Sequence, residues 1–305
     1  MIGEANTETT MPKSSEVAEN WVPRVQWRRV KGSIWLTVFA AAVLLTISML
    51  GLLLWSVIQP GWNWLSLHLI TSMPSRNAEN AGMNSGIWGS VWIVIGSAIF
   101  SLFIGVGTSI YLEEYAPRNW FTRFVQTNIS NLAGVPSIVY GLLGLALFVE
   151  WLNFGRSILA GALTMGLLIL PVVVIASQEA IRSVPLGLRQ ASYGLGATKW
   201  QTVRHHVLPS AFPGILTGVI LSMSRAIGET APLIVVGAAS LVLTRPDGPT
   251  SGFTVMPVQI YNWSARPQKE FEHLSAAAIL VLLIVLLSMN AFAIVLRQRL
   301  SKNRI

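Results

Sequence analysis

Gln190-Ala191-Ser192-Tyr193-Gly194-Leu195-Gly196-Ala197 is a polar stretch set between two apolar regions, and it closes at Leu208-Pro209. Arg182, Arg189, Lys199 and Arg204 surround it. Basic residues beside apolar spans concentrate on the cytoplasmic side of a membrane. The stretch therefore reads as an inner-face loop, with a short helix, a glycine turn and a second short helix. An element of this kind is presented to a cytoplasmic partner, which supplies the energy for function.

Outward from this loop the chain is apolar. It has 305 residues, of which 52% are hydrophobic and 11% charged, against about 25% charge in a soluble domain. Apolar runs occupy 34–58, 87–112, 129–151, 158–176, 211–243 and 274–296. About 20 apolar residues cross a hydrocarbon core of roughly 30 Å. The expectation is an all-α integral membrane protein with six transmembrane helices in one domain, 34–296, with 178–209 as its cytoplasmic coupling loop. Residues 1–33 form an N-terminal tail and interfacial anchor, and 297–305 a basic C-terminal tail.

The net charge of +8 follows this topology. The first 33 residues, Arg118, Arg123, the central loop and the tail hold most of the Lys and Arg; Arg76, Arg156, Arg245, Arg266 and Lys269 fall on the other side. Both termini are thus expected in the cytoplasm. Residues 1–20 are polar and do not resemble a cleavable leader. Trp21 and Trp27 mixed with Arg24, Arg28, Arg29 and Lys31 suit a membrane-surface anchor, and the span that follows argues against a nucleic-acid patch. With no cysteine, disulfides, thiol catalysis and cysteine-based metal sites are excluded.

Irregularities within the spans carry the functional signal. The second span holds Ser90, Gly96, Ser97, Ser101, Gly105 and Gly107, small residues that permit close helix contact. The third contains Pro136, which removes a backbone donor and favours a bend. The fifth region, 211–243, would make a straight helix of about 50 Å at about 1.5 Å per residue, too long for the bilayer core. Gly228 and Pro232 interrupt it, and a helix broken near 228–232 is expected, with Gly214 and Gly218 as a close contact face.

Arg225 and Glu229 lie beside that break, four residues apart on one helix face. An ionisable residue at membrane depth costs roughly 2.5–3.5 kcal/mol on insertion scales. The pair either locks two helices together or lines a pathway, with Arg225 attracting an anion, Glu229 tuning its field and Thr230 adding a hydroxyl. A guanidinium suits a phosphate-like oxyanion because its planar fork donates two hydrogen bonds at once. One arginine does not distinguish phosphate from sulfate or molybdate. No catalytic set is visible, and no His-Glu-x-x-His or phosphate-binding Gly-x(4)-Gly-Lys-[Ser/Thr] motif occurs. No metal or cofactor is expected on this chain, and any ATP hydrolysis must belong to another subunit.

The loop also carries a resemblance. Permease subunits of binding-protein-dependent ABC importers have a cytoplasmic loop of the form E-A-A-x(3)-G-x(9)-I-x-L-P. Gln190-Ala191-Ser192, Gly196 and Leu208-Pro209 keep its spacing, with Gln190 in place of Glu and His206 in place of Ile. Three longer stretches are similar to the phosphate-specific (Pst) permeases, A-type subunit: 189–201, Leu208-Pro209-Ser210-Ala211-Phe212-Pro213-Gly214-Ile215-Leu216-Thr217-Gly218, and Ser224-Arg225-Ala226-Ile227-Gly228-Glu229-Thr230-Ala231-Pro232-Leu233. So are Tyr111-Leu112-Glu113-Glu114-Tyr115-Ala116 and Gly134-Val135-Pro136-Ser137-Ile138-Val139-Tyr140-Gly141. The resemblance covers about 85–295.

It implies a MetI-like ABC importer permease core with an added N-terminal helix, in a bacterial cytoplasmic (inner) membrane. It also implies a C-type permease partner, two ATPase subunits and a soluble phosphate-binding protein, with phosphate as cargo. By the same resemblance, Gln190, Ala191, Ser192, Gly194, Gly196, Ala197, Leu208 and Pro209 belong to the ATPase-coupling loop. Arg225, Glu229 and Thr230 line the substrate pathway, with helix breaks at Pro136, Gly228 and Pro232.

Overall fold

A computed structural model describes residues 25–238, 242 and 244–302, and all regular structure among them is helical. The tail 1–20, Trp21 and Arg24 of the expected anchor, and 303–305 lie outside the described residues. The chain divides into two compact units, Met1–Ser56 and Val57–Ile305.

The first unit contains most of helix α1, Val25–Gly61. The helix begins upstream of the expected start at 34 and takes basic residues into its first turns. There the Lys31 ammonium stands 5.3 Å from the Trp27 ring centroid, a cation–π geometry suited to a membrane surface. Beyond it Leu36, Phe39, Leu45 and Leu52 are exposed on all sides, as befits a helix whose solvent is lipid.

The second unit is a helical bundle. Helix α2, Asn84–Tyr115, ends in a π-helical turn, Tyr111–Tyr115. Helix α3, Trp120–Leu132, is followed across a 102° bend by α4, Ser137–Trp151. Helix α5 is Ile158–Arg182, α6 is Leu186–Gly194, and α7 is Lys199–Gly228. Helix α8, Ala231–Leu233, continues as a π turn to Ala238; α9 is Met256–Ser264 and α10 is Lys269–Lys302. Among the described residues five helices are long and apolar enough to cross a membrane, and the bent pair α3–α4 makes six crossings if it counts as one.

Lipid provides no hydrophobic drive for helix association, so close packing must. Helix α5 is the hub. A Cβ on Gly96 would lie 2.8 Å from the Ala162 Cβ, and one on Gly105 2.8 Å from Val173 Cγ1, so α2 lies tightly against α5. On the other flank Gly214 and Gly218 of α7 meet Ala180 and Ala176 of α5, the close contact face that their spacing predicts. The Ser109 hydroxyl lies 2.7 Å from Gly105 O and 2.9 Å from Val174 O, a polar link between α2 and α5.

One segment between spans is not a surface loop. Phe253 and Thr254 are buried, and a Cβ on Gly161 would come within 2.7 Å of Phe253 Cζ. Ile158 N donates to Ser251 O at 3.0 Å and Leu159 N to Pro249 O at 2.8 Å. Those amides open α5 and have no partner within the helix, so the segment supplies their acceptors.

Candidate functional site

The fifth span breaks where Gly228 and Pro232 predict. Helix α7 closes at Gly228, and Glu229 is extended (φ −76°, ψ 130°). Its N–H still donates to Ala226 O at 3.2 Å. Thr230 starts the next helix, its carbonyl accepting from Ile234 N at 3.1 Å. Pro232 sits in the first turn of α8, where a missing N–H costs nothing. Gly228, Glu229, Thr230 and Pro232 therefore form one elbow, and Arg225 is in the last helical turn before it.

Arg225 Nε donates to Glu229 Oε1 at 3.5 Å. The Arg225 side chain is 58% exposed and that of Glu229 20%. A contact this long and open contributes roughly 0–1 kcal/mol. The guanidinium carries five N–H donors. Its two terminal amino groups donate to no other group among the described residues. A cation in the last turn of a helix also sits well in the field of the helix carbonyls.

Arg225 lines a hollow together with Ser222, Val135, Ser137, Tyr140 and Leu168. The hollow therefore lies between the last turns of α7, the middle of α5 and the α3–α4 bend, and Glu229 and Thr230 are not among its lining. Pro136 is the residue before α4 (φ −54°, ψ 136°), and the chain turns there by 102°. The Tyr140 hydroxyl donates to Leu132 O at 2.8 Å, a carbonyl that also accepts from Val135 N at 3.1 Å across the bend. Elbow and bend also meet directly, because a Cβ on Gly141 would lie 2.7 Å from Pro232 Cα.

The loop residues fall on two elements. Helix α6 exposes Gln190, Ala191 and Gly194, and Leu195 beyond it is 89% exposed. Ser192 is buried, its hydroxyl 2.8 Å from that of Thr202. Gly196 has φ +81°, a left-handed turn that a Cβ disfavours, and Ala197 is half-buried. Thr198 then caps the start of α7 through a reciprocal box with Gln201. The second short helix expected after the glycine turn is the start of the fifth span itself. Leu208 and Pro209 lie in α7, beyond a π turn at Val203–Val207. That turn precedes Pro209, which cannot donate an N–H to the upstream carbonyls.

The π turn ending α2 holds a group that the sequence reading did not assemble. Glu113 accepts from Arg182 Nε at 2.9 Å and Nη2 at 2.6 Å, while Arg182 Nη1 donates to Glu179 at 3.1 Å. Glu114 accepts from Arg189 Nε at 3.2 Å and Nη2 at 2.9 Å. Arg189 also donates to Val184 O at 2.6 Å and Ile181 O at 2.9 Å. The side chains of Arg189 and Glu114 are only 14% and 8% exposed. The signal in the sequence was the doublet Glu113-Glu114 at an inner membrane boundary, with arginines unassigned in the loop.

Residues 101–302 match the family model described as binding-protein-dependent transport system inner membrane component. The chain is 34% identical to the phosphate transport system permease protein PstA 1 of Mycobacterium tuberculosis, over 91% of this chain and 92% of that protein. It is 38% identical to the probable ABC transporter permease YqgI of Bacillus subtilis over 63% of this chain, spanning 65% of that protein, just under two thirds. A solved structure of the MetNI methionine ABC transporter matches with a TM-score of 0.58 at 16% identity, over 72% of this chain and 95% of that chain. That likeness bears on the fold. The chain belongs to the inner-membrane permease components of binding-protein-dependent ABC transport systems, and within them to the PstA phosphate transport system permeases.

Proposed function

We propose that this permease carries inorganic phosphate inward past Arg225, with a C-type permease forming the other half of the pathway. The observation that carries the reading is the Arg225 guanidinium, mostly exposed beside a hollow at the α3–α4 bend and only weakly engaged by Glu229. A planar fork with free donors binds two oxygens of an oxyanion at once. Glu229 limits how tightly the anion is held, since passage needs binding weak enough to be reversed. The broken ends of α7 and α4 add Thr230 and backbone groups to the path, as discontinuous helices do in other transporters.

Energy enters through α6. Its exposed face, with Gln190, Ala191 and Gly194, seats in a groove of one of two ATPase subunits, and those subunits bind ATP and Mg. A soluble phosphate-binding protein delivers the anion to the outer face. The distribution of Lys and Arg supports cytoplasmic termini in a bacterial inner membrane.

The test is uptake into vesicles holding this chain, the C-type partner, the ATPase and the binding protein. ATP-driven accumulation of labelled phosphate, with no accumulation of labelled sulfate or molybdate, is the expected result. Accumulation of either competitor in place of phosphate overturns the cargo assignment.

A further inference from the structure

Helix α6 is fastened to the bundle by side chains at points its docking role does not require. Three elements converge on one guanidinium. Arg189, on α6, bonds Glu114 of α2, and it bonds Ile181 O and Val184 O at the end of α5. Ile181 O also accepts from Val184 N at 3.3 Å, and Val184 lies two residues past α5, so Arg189 adds a side-chain donor to a turn that the backbone already closes. Next to it, Glu113 ties the same α2 turn to Arg182, the last residue of α5. Two adjacent carboxylates thus serve two different elements. The Lys199 ammonium adds a third tie, 5.0 Å from the Tyr115 ring centroid.

The two ion pairs differ in surroundings. The Arg182 and Glu113 side chains are 48% and 14% exposed, while Arg189 and Glu114 are nearly enclosed. Removing one partner of an enclosed pair leaves an uncompensated charge, whereas a wetter pair loses little. The Arg189–Glu114 link is accordingly the stiff one. The π turn that carries both carboxylates is itself a local departure from α-helical geometry, of the kind found at functional positions.

We propose that Arg189–Glu114, backed by Arg182–Glu113, is a transmission clamp: it makes α6, the end of α2 and the end of α5 move as one body. Displacement of α6 by the ATPase then reaches α5 directly. Helix α5 contributes Leu168, Ile169 and Val172 to the hollow that holds Arg225, so the stroke arrives at the anion path. Arg189 and Glu114 are positioning residues in this scheme, since neither touches the cargo. The inference rests on the transport reading above.

The experiment uses the complete complex in vesicles. Cysteines replace Gly107 of α2 and Gly187 of α6, both exposed and with open space for a side chain, and carry spin labels; the chain has no native cysteine. In the otherwise native chain the label separation is expected to stay the same with and without a non-hydrolysable ATP analogue. In Arg189→Gln it is expected to broaden, and phosphate transported per ATP hydrolysed to fall about tenfold, within the usual range of site-to-site coupling. Arg189→Lys recovers part of that ratio. If Arg189→Gln fails to assemble, Glu114→Gln, which keeps the shape and removes the charge, decides the matter by the same readouts. A native separation that changes with nucleotide, or glutamine variants with native stoichiometry and separation, overturns the clamp. Label separation does not depend on which anion is carried, so failure of the clamp and failure of the phosphate assignment are told apart.

Discussion

Gly141 of α4 and Pro232 of α8 meet backbone to backbone, with room for no more than a hydrogen: a Cβ on Gly141 would stand 2.7 Å from Pro232 Cα and 3.0 Å from Pro232 O. This contact joins the two helix breaks that flank Arg225. Neither neighbouring atom is the end of a flexible side chain, so the backbone itself must shift to admit a methyl group. Gly141→Ala is expected to destabilise the chain by about 1–3 kcal/mol, the usual range for overpacking. It is also expected to reduce phosphate uptake more than ATPase activity. Thermal unfolding of the detergent-solubilised complex and vesicle uptake check both parts.

Gly196 closes α6 with φ +81°. Nothing lies within 4 Å of where its Cβ would be, so the penalty for a side chain is conformational alone. Gly196→Ala is expected to cost about 1–2 kcal/mol. Gly196→Asn is expected to cost less, since Asn enters this region more readily. Copurification of the ATPase with each variant reads the effect where it matters, because the turn sets the angle between α6 and α7.

Tyr140 holds the α3–α4 bend through its hydroxyl, which donates to Leu132 O at 2.8 Å. Tyr140→Phe keeps the ring and removes that bond, leaving Leu132 O with the Val135 N–H alone. A loss of about 1 kcal/mol is expected, the net worth of a typical hydrogen bond. Hydrogen exchange at the amides of Ser137–Gly144 is expected to speed up, while α5 exchange stays as it was.

Much of this fold can be read from the chain, and what escapes has a physical cause. Hydropathy finds the apolar runs because crossing lipid demands length and apolarity. Gly228 and Pro232 announce the elbow because each acts on the backbone through its own chemistry. Helix α7 starts at Lys199 and not near 211, because Arg204, His205 and His206 lower hydropathy without opposing helix formation. Helix α3 is hidden for a related reason: its apolar residues alternate with Arg123, Gln126 and Ser130, so it never forms an apolar run. The ties from Glu113 to Arg182 and Glu114 to Arg189 join residues 69 and 75 positions apart. No local periodicity encodes such a pairing.

The same holds at the α7 elbow. Arg225 and Glu229 are legible as a pair because four-residue spacing places them on one face. Their geometry is not: the helix ends between them, Glu229 leaves the helical path, and the contact lengthens to 3.5 Å. That departure is why the proposed function gives Arg225 to the pathway and not to a closed structural lock.

The central claim is that Arg225 acts on the anion and not on the fold. The most direct measurement compares ATP-dependent uptake of labelled phosphate by native, Arg225→Gln and Glu229→Gln complexes at equal assembly, verified by ATPase activity. The Arg225–Glu229 contact is long, at 3.5 Å, and Arg225 is more than half exposed, so its loss costs little stability and both variants are expected to assemble. Uptake is expected to fall at least about a hundredfold in Arg225→Gln, as when a charged, hydrogen-bonding contact to the cargo is removed, and Glu229→Gln is expected to alter uptake without abolishing it. Native uptake in both variants contradicts the account, makes the pair a structural element, and moves the pathway away from the α7 elbow.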